Sequence, residues 1–189
     1  MKNIAIFASG KGTNAENIIR YFEGKGTVKV TLLVANKACP AVEKAVLLNV
    51  PVLILDRPAF YGEEGFIKKL KTGNIDLIVL AGFLQLIPPS LIKAFPDRII
   101  NIHPALLPKF GGQGMFGKHV HRAVIAALEK ESGISIHLVN EKFDDGKVIF
   151  QAKCPINPGD SIGSLTASVG VLERLHYPVQ IEKYLLSLP

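Results

Sequence analysis

The chain has 189 residues, 48% of them hydrophobic and 20% charged, enough apolar material for one sizeable core and too much for a disordered chain. Its formal net charge is +6, yet the basic residues are scattered, form no run and have few aromatics among them for base stacking. That pattern argues against a nucleic-acid track and favours small anionic substrates.

The opening "MKNIAIFASG" has too short an apolar run for a signal peptide or a bilayer span, so a cytoplasmic protein with no membrane partner is expected. From there strand-like runs "NIAIFA" (3–8), "VKVTLLVA" (28–35), "PVLILD" (51–56), "IDLIVLAG" (75–82) and "RIINIH" (98–103) alternate with amphipathic stretches near 14–24, 40–49, 62–72 and 88–95. Continuous aliphatic strands separated by helices predict a parallel sheet covered on both faces. After residue 118 the order changes to a helix (118–131), a strand (133–140), a polar turn, a strand (147–156) and a last helix from about 161 to 187. Two strands joined by so short a turn pair antiparallel, which predicts a hairpin at one edge. The expectation is a single α/β domain over 1–189, doubly wound and Rossmann-like, with a mostly parallel sheet and an antiparallel edge hairpin.

"ASGKGTNAENI" (8–18) closes the first strand and opens the first helix. Gly10 and Gly12 let backbone N–H groups approach an anion, and the helix N-terminus supplies partial positive charge, so the turn reads as a phosphate site. A dinucleotide site would want an acidic residue ending the second strand, where Asn36 and Lys37 stand instead. The Walker pattern also fails, because Lys11 precedes Gly12 rather than Ser or Thr.

In "IINIHPALLPKF" (99–110), Asn101 and His103 are two apart on a strand and share a face. An apolar strand gains nothing from ending in two polar groups, so the pair suggests donors aimed at a developing oxyanion. The turn "NEKFDDGK" (140–147) holds Asp144 and Asp145 before Gly146, and on its own reads as a solvated hairpin tip. His137, His119, His121 and His176 carry no specific signal. His119 and His121 do not share a helix face. Cys39 and Cys154 form no C-x-x-C and have no histidine at zinc spacing, so reduced thiols and no bound metal are expected.

The ordered set "SGKGTN", "LAGFLQLI", "NIHPALLPKF", "FDDG" and "LERLHYP" resembles the phosphoribosylglycinamide formyltransferases of the folate-dependent formyltransferase superfamily over essentially the whole chain. The resemblance implies transfer of the formyl group of 10-formyltetrahydrofolate to the amine of N1-(5-phospho-D-ribosyl)glycinamide in purine biosynthesis, with no metal. It implies Asn101, His103 and Asp144 as the catalytic set, which promotes Asp144 from hairpin tip to catalyst. It further implies Gly12, Thr13 and Asn14 as the phosphate loop and Glu173 as the carboxylate recognising the ribonucleotide. Leu84, Gln85, Leu86 and Ile87, with Asn101 and the 140–144 turn, would take the pterin, and Arg57 in "DRPAF" the folate tail. Two features depart from the family pattern: the longer glycine-rich segment "KFGGQGMFGK" (109–118), expected to act as a mobile flap, and Arg174 after Glu173, where a histidine is common. Formyltetrahydrofolate deformylase and methionyl-tRNA formyltransferase are the alternatives within the superfamily, and a non-catalytic nucleotide-binding α/β module the alternative outside it.

Overall fold

Alternation along the first strand explains the layering. In a computed structural model describing residues 1–62 and 64–188, β1 (Lys2–Ala8) sends Ile4, Ile6 and Ala8 into one core and Ala5 and Phe7 into another on the opposite face of the sheet. All five are fully buried. A strand buried on both faces must lie centrally in a sheet covered by helices. β1 pairs in parallel with β2 (Val28–Ala35) on one side and β4 (Leu77–Leu80) on the other. With β3 (Val52–Ile54), β5 (Ile99–His103), β6 (Glu131–Leu138) and β7 (Val148–Pro155), the sheet has seven strands in the order β3-β2-β1-β4-β5-β6-β7. β1 to β5 run parallel, and β6 and β7 are antiparallel, as the alternation and the short polar turn predict.

The first core takes α1 (Thr13–Phe22), which buries Ala15, Ile18, Ile19 and Phe22, one helical face. α2 (Pro40–Leu47) adds Ala41 and Ala45 to the same core. The second lies under α4 (Glu64–Thr72) and α5 (Pro89–Ala94), where Phe7, Phe60, Phe66 and Phe83 pack with ring centroids between 5.3 and 6.4 Å apart. Several boundaries shift by a few residues from the sequence reading, and two of the shifts have a local cause. A separate short helix, α3 (Arg57–Tyr61), precedes α4, because the Asp56 carboxylate caps it by accepting from the Ala59 N–H at 2.9 Å. The helix expected over 118–131 is α6 (Lys118–Ala126), which ends before Leu128 takes a positive φ of 54° and lets β6 begin at Glu131.

The last helix, α7 (Ile162–Ser187), starts at a reciprocal cap between Ser161 and Ser164. It buries Leu165, Val169, Ile181 and Leu185 in the first core, and one buried polar group ties it to a strand end. The Tyr177 hydroxyl donates to the Leu80 carbonyl at 2.8 Å, where β4 ends. Among the described residues no helix is long and apolar enough to cross a membrane. Tyr177→Phe deletes the hydroxyl while keeping the ring, so it should lower stability by about 1–2 kcal/mol. Urea unfolding should show this as a shifted midpoint at unchanged slope.

Candidate active site

A cavity of about 860 Å³ opens at the carboxyl ends of β1, β4 and β5. The sheet order reverses here: β1 leads outward to β2, while β4 and β5 continue on its other side. Open α/β sheets bind ligands at such a point because loops leaving adjacent strands part in opposite directions. The two sides are tied at the mouth. Ser9 N–H donates to the Gly82 carbonyl at 3.1 Å, and the Ser9 hydroxyl accepts from the Leu84 N–H at 3.2 Å.

Gly12, Thr13 and Asn14 line one end. Gly12 caps α1 at φ 70°, and any Cβ there would lie 2.5 Å from the Ala41 Cα, so the turn requires glycine on both grounds. Leu84, Gln85, Leu86 and Ile87 line the other end. The Gln85 Oε1 is buried without a hydrogen-bond partner among the described residues. Arg57 does not line the cavity. It lies at the start of α3 with its guanidinium 5.7 Å from the Tyr61 ring centroid, and Tyr61 in turn donates to the Leu86 carbonyl at 3.0 Å. The arginine therefore stands one residue behind the cavity wall.

Asn101, His103 and Asp144 converge between these ends, although 43 positions separate Asn101 from Asp144. His103 Nδ1 is 3.4 Å from Asp144 Oδ2, and its Nε2 is 2.8 Å from the Phe110 carbonyl. Both partners only accept, so the ring serves both when it carries both protons. Asn101 Nδ2 lies 3.3 Å from Asp144 Oδ1 and 3.1 Å from His137 Nε2. His137 Nδ1 donates to the Leu138 carbonyl at 2.8 Å, which leaves Nε2 to face the amide and, at 3.5 Å, Asp144 Oδ1. Unprotonated, that nitrogen accepts from Asn101; protonated, it donates to Asp144. Burial pushes the Asp144 carboxyl up, but the His103 and His137 contacts and the Gly112 N–H at 3.0 Å outweigh it and hold the carboxyl well below the usual carboxylate range.

The structure adds residues that the sequence reading passed over. His137 looked like one more histidine on an apolar strand, but β5 and β6 pair in the register that sets it directly opposite Asn101. Only the strand pairing carries that signal. The 109–118 segment, expected as a flap, forms a wall of the cavity from Gly112 onward and is held to the site by the Gly112 and Phe110 contacts. His121, the other histidine passed over, is buried on α6 at the cavity wall with Nδ1 unpartnered among the described residues. Burial and the nearby His103 push its imidazole down, towards the neutral form.

Glu173 enters the cavity from α7, and its Oε2 accepts from the Asn14 amide at 3.2 Å. Burial raises its carboxyl above the model-compound value of 4.5, an effect that the Asn14 bond, Arg174 and His103 only partly offset. The folded protein therefore holds this proton more tightly than the unfolded chain does. Stability falls as pH rises from 4.5 through the raised folded value, and it stays lower above that window. Glu173→Gln keeps an acceptor for Asn14 and removes the charge. It should raise Tm by a few degrees at pH 7–8 and flatten the dependence of stability on pH across that window, both readable by calorimetry.

The sequence matches the formyl transferase family over residues 2–181. A chloroplastic phosphoribosylglycinamide formyltransferase of Arabidopsis thaliana is 38% identical over 175 residues, which cover 89% of this chain. The chain spans only 60% of that relative's length. The Haemophilus influenzae phosphoribosylglycinamide formyltransferase is 34% identical over 188 residues, covering 96% of this chain and 86% of that protein. The crystal structure of phosphoribosylglycinamide formyltransferase from Bacillus halodurans superposes with a TM-score of 0.86 at 38% identity, over 98% of this chain and 96% of that one. A match across nearly the whole sequence, with likeness in fold as well, means that this chain belongs to the formyl transferase family, beside proteins named phosphoribosylglycinamide formyltransferase.

Proposed function

We propose that the chain acts as one formyltransferase domain that moves the formyl group of 10-formyltetrahydrofolate to the amine of N1-(5-phospho-D-ribosyl)glycinamide, in the cytoplasm, with no metal and no nucleic-acid partner. The observation that carries this reading is the convergence of Asn101, His103 and Asp144 midway along one cavity, with an anion-binding turn at one end and an apolar wall at the other. The turn at 12–14 suits the phosphate, Glu173 the sugar and amine end, and the 84–87 wall the pterin. Arg57, behind that wall, suits the folate carboxylates.

The substrate amine is the nucleophile, so the protein need supply only alignment and charge stabilisation. The amine attacks the formyl carbon, forming a C–N bond and placing negative charge on the formyl oxygen. His103, with both ring protons, donates to that oxygen. Asn101 does so through the amide hydrogen that runs to Asp144 in the free site, the longer of its two contacts. Collapse breaks the bond from the formyl carbon to N10 of the folate, the amine gives up a proton, and N10 receives one by way of His103. Asp144, charged throughout, orients the His103 ring through Nδ1. The Phe110 carbonyl occupies His103 Nε2 in this conformation, so the flap must shift as substrate takes its place.

His103→Ala and Asn101→Ala should each lower kcat by about 10²–10³ with smaller effects on KM. Steady-state kinetics checks this, and a drop below about tenfold in both variants removes them from the chemistry. The acceptor is tested with purified protein and 10-formyltetrahydrofolate. Glycinamide ribonucleotide should be formylated, whereas water and initiator methionyl-tRNA should not. Formate release without acceptor would favour a deformylase instead.

A further inference from the structure

We propose that Arg174, lying back over Gly170, supplies the side-chain cation that meets the phosphate of the acceptor ribonucleotide. The inference rests on the ribonucleotide reading above and names a residue that this reading does not use.

Helix side chains lean towards the N-terminus, so a long side chain at 174 covers position 170, one turn earlier. Here the cover is direct. A Cβ placed on Gly170 would sit 3.4 Å from the Arg174 Nη1. Gly170 lines the cavity and, being three positions before Glu173, shares its face of α7. The exposed Arg174 does not itself line the cavity, but its guanidinium lies in contact distance of the Gly170 position that does, beside the face that presents Glu173.

Glycine is a poor residue for a helix interior, and Gly170 has no positive φ to require it. What its missing side chain leaves is a notch between the Arg174 guanidinium and the cavity.

The charge is available. Arg20 and Lys44, near α1, are both paired with Glu16, whereas Arg174 enters none of the ion pairs among the described residues, a state it shares with the cavity-lining Lys11 of the turn, whose single ammonium lacks the paired donors of a guanidinium. Its position is fixed relative to the anion-binding turn. The Asn17 amide of α1 donates to the Arg174 carbonyl at 2.9 Å, and Asn14 of the turn itself bonds Glu173 next door. A guanidinium offers paired N–H donors that match two phosphate oxygens, a contact that backbone amides at a helix end complement without duplicating. Neighbouring residues would thus divide the acceptor, Glu173 taking its sugar and amine end and Arg174 its phosphate.

The test uses the full chain and two readouts. Isothermal titration calorimetry with inorganic phosphate measures the anion site without turnover, and steady-state kinetics gives KM for each substrate. Arg174→Ala should weaken phosphate binding and raise KM for glycinamide ribonucleotide by about tenfold, with kcat and KM for 10-formyltetrahydrofolate within about twofold. Arg174→Lys should fall between the two. Moving the cation to the notch, with Gly170→Lys added to Arg174→Ala, should recover most of the loss, which a merely structural role for Arg174 would not allow. Phosphate affinity within about twofold of wild type in Arg174→Ala, at unchanged Tm, overturns the proposal, as does a folded double variant that regains nothing. Failure of the wild-type protein to formylate glycinamide ribonucleotide while Arg174→Ala still weakens phosphate binding would instead remove the acceptor reading and leave Arg174 as an anion-binding residue.

Discussion

A carboxylate held charged with its side chain only 9% exposed is the constraint around which this site is built. Out of water, Asp144 would take up a proton unless donors surrounded it. The donors come from three separate places: His103 and Asn101 from the end of β5, His137 from β6, and the Gly112 N–H from the glycine-rich segment. Each segment is thereby fixed with respect to the others by one charge. Remove it, and His103 loses the partner that orients its ring, Asn101 loses one of two groups that define which way its amide faces, and the 109–118 wall loses a tie to the sheet. The proposed chemistry and the local architecture therefore depend on the same atoms.

The polar cluster can afford little internal movement because its supports are rigid. β4 and β5 are buried strands, and α7 is pinned across them by the Tyr177 hydroxyl at the end of β4. That pin sets where Glu173, one turn earlier on the same helix, enters the cavity. Glu173 then reaches back to Asn14, so the glycine-rich first turn and the last helix, 159 positions apart, close one end of the site together. The other end is apolar and leans on the aromatic cluster of the second core through Phe83 and Ile87. A cavity with one polar and one apolar end, such as this, suits two unlike substrates bound side by side.

Several parts of this were legible beforehand because they are local. Alternation within β1, aliphatic runs of strand length and helical spacing in α1 specify burial on both faces, hence a parallel sheet, without reference to any distant residue. The glycines of the first turn speak for themselves, since Gly12 sits at a positive φ against Ala41. Asn101 and His103 stood out because two polar groups on one face of a buried strand need a reason. The resemblance then supplied Asp144 and Glu173, residues whose own surroundings in sequence look ordinary.

Other features depend on tertiary contacts that sequence spacing does not encode. His137 matters because the β5–β6 register places it opposite Asn101, and a shift of one residue would have turned it to the other face. Arg57 matches a family pattern, yet α3 sets it behind the cavity wall, since the Asp56 cap fixes where that helix begins. The raised carboxyl of Glu173 and the depressed one of Asp144 belong to residues of similar chemistry whose environments push in opposite directions: burial prevails at the first, while histidine contacts outweigh it at the second. The sequence by itself determined the fold class, the glycine-rich turn and the polar strand end, because each follows from periodicity or from the conformation of neighbouring residues. Only the tertiary structure decided which polar groups share hydrogens and which charges stay unpaired, because desolvation and hydrogen bonding act across space between segments that meet only when the sheet has formed.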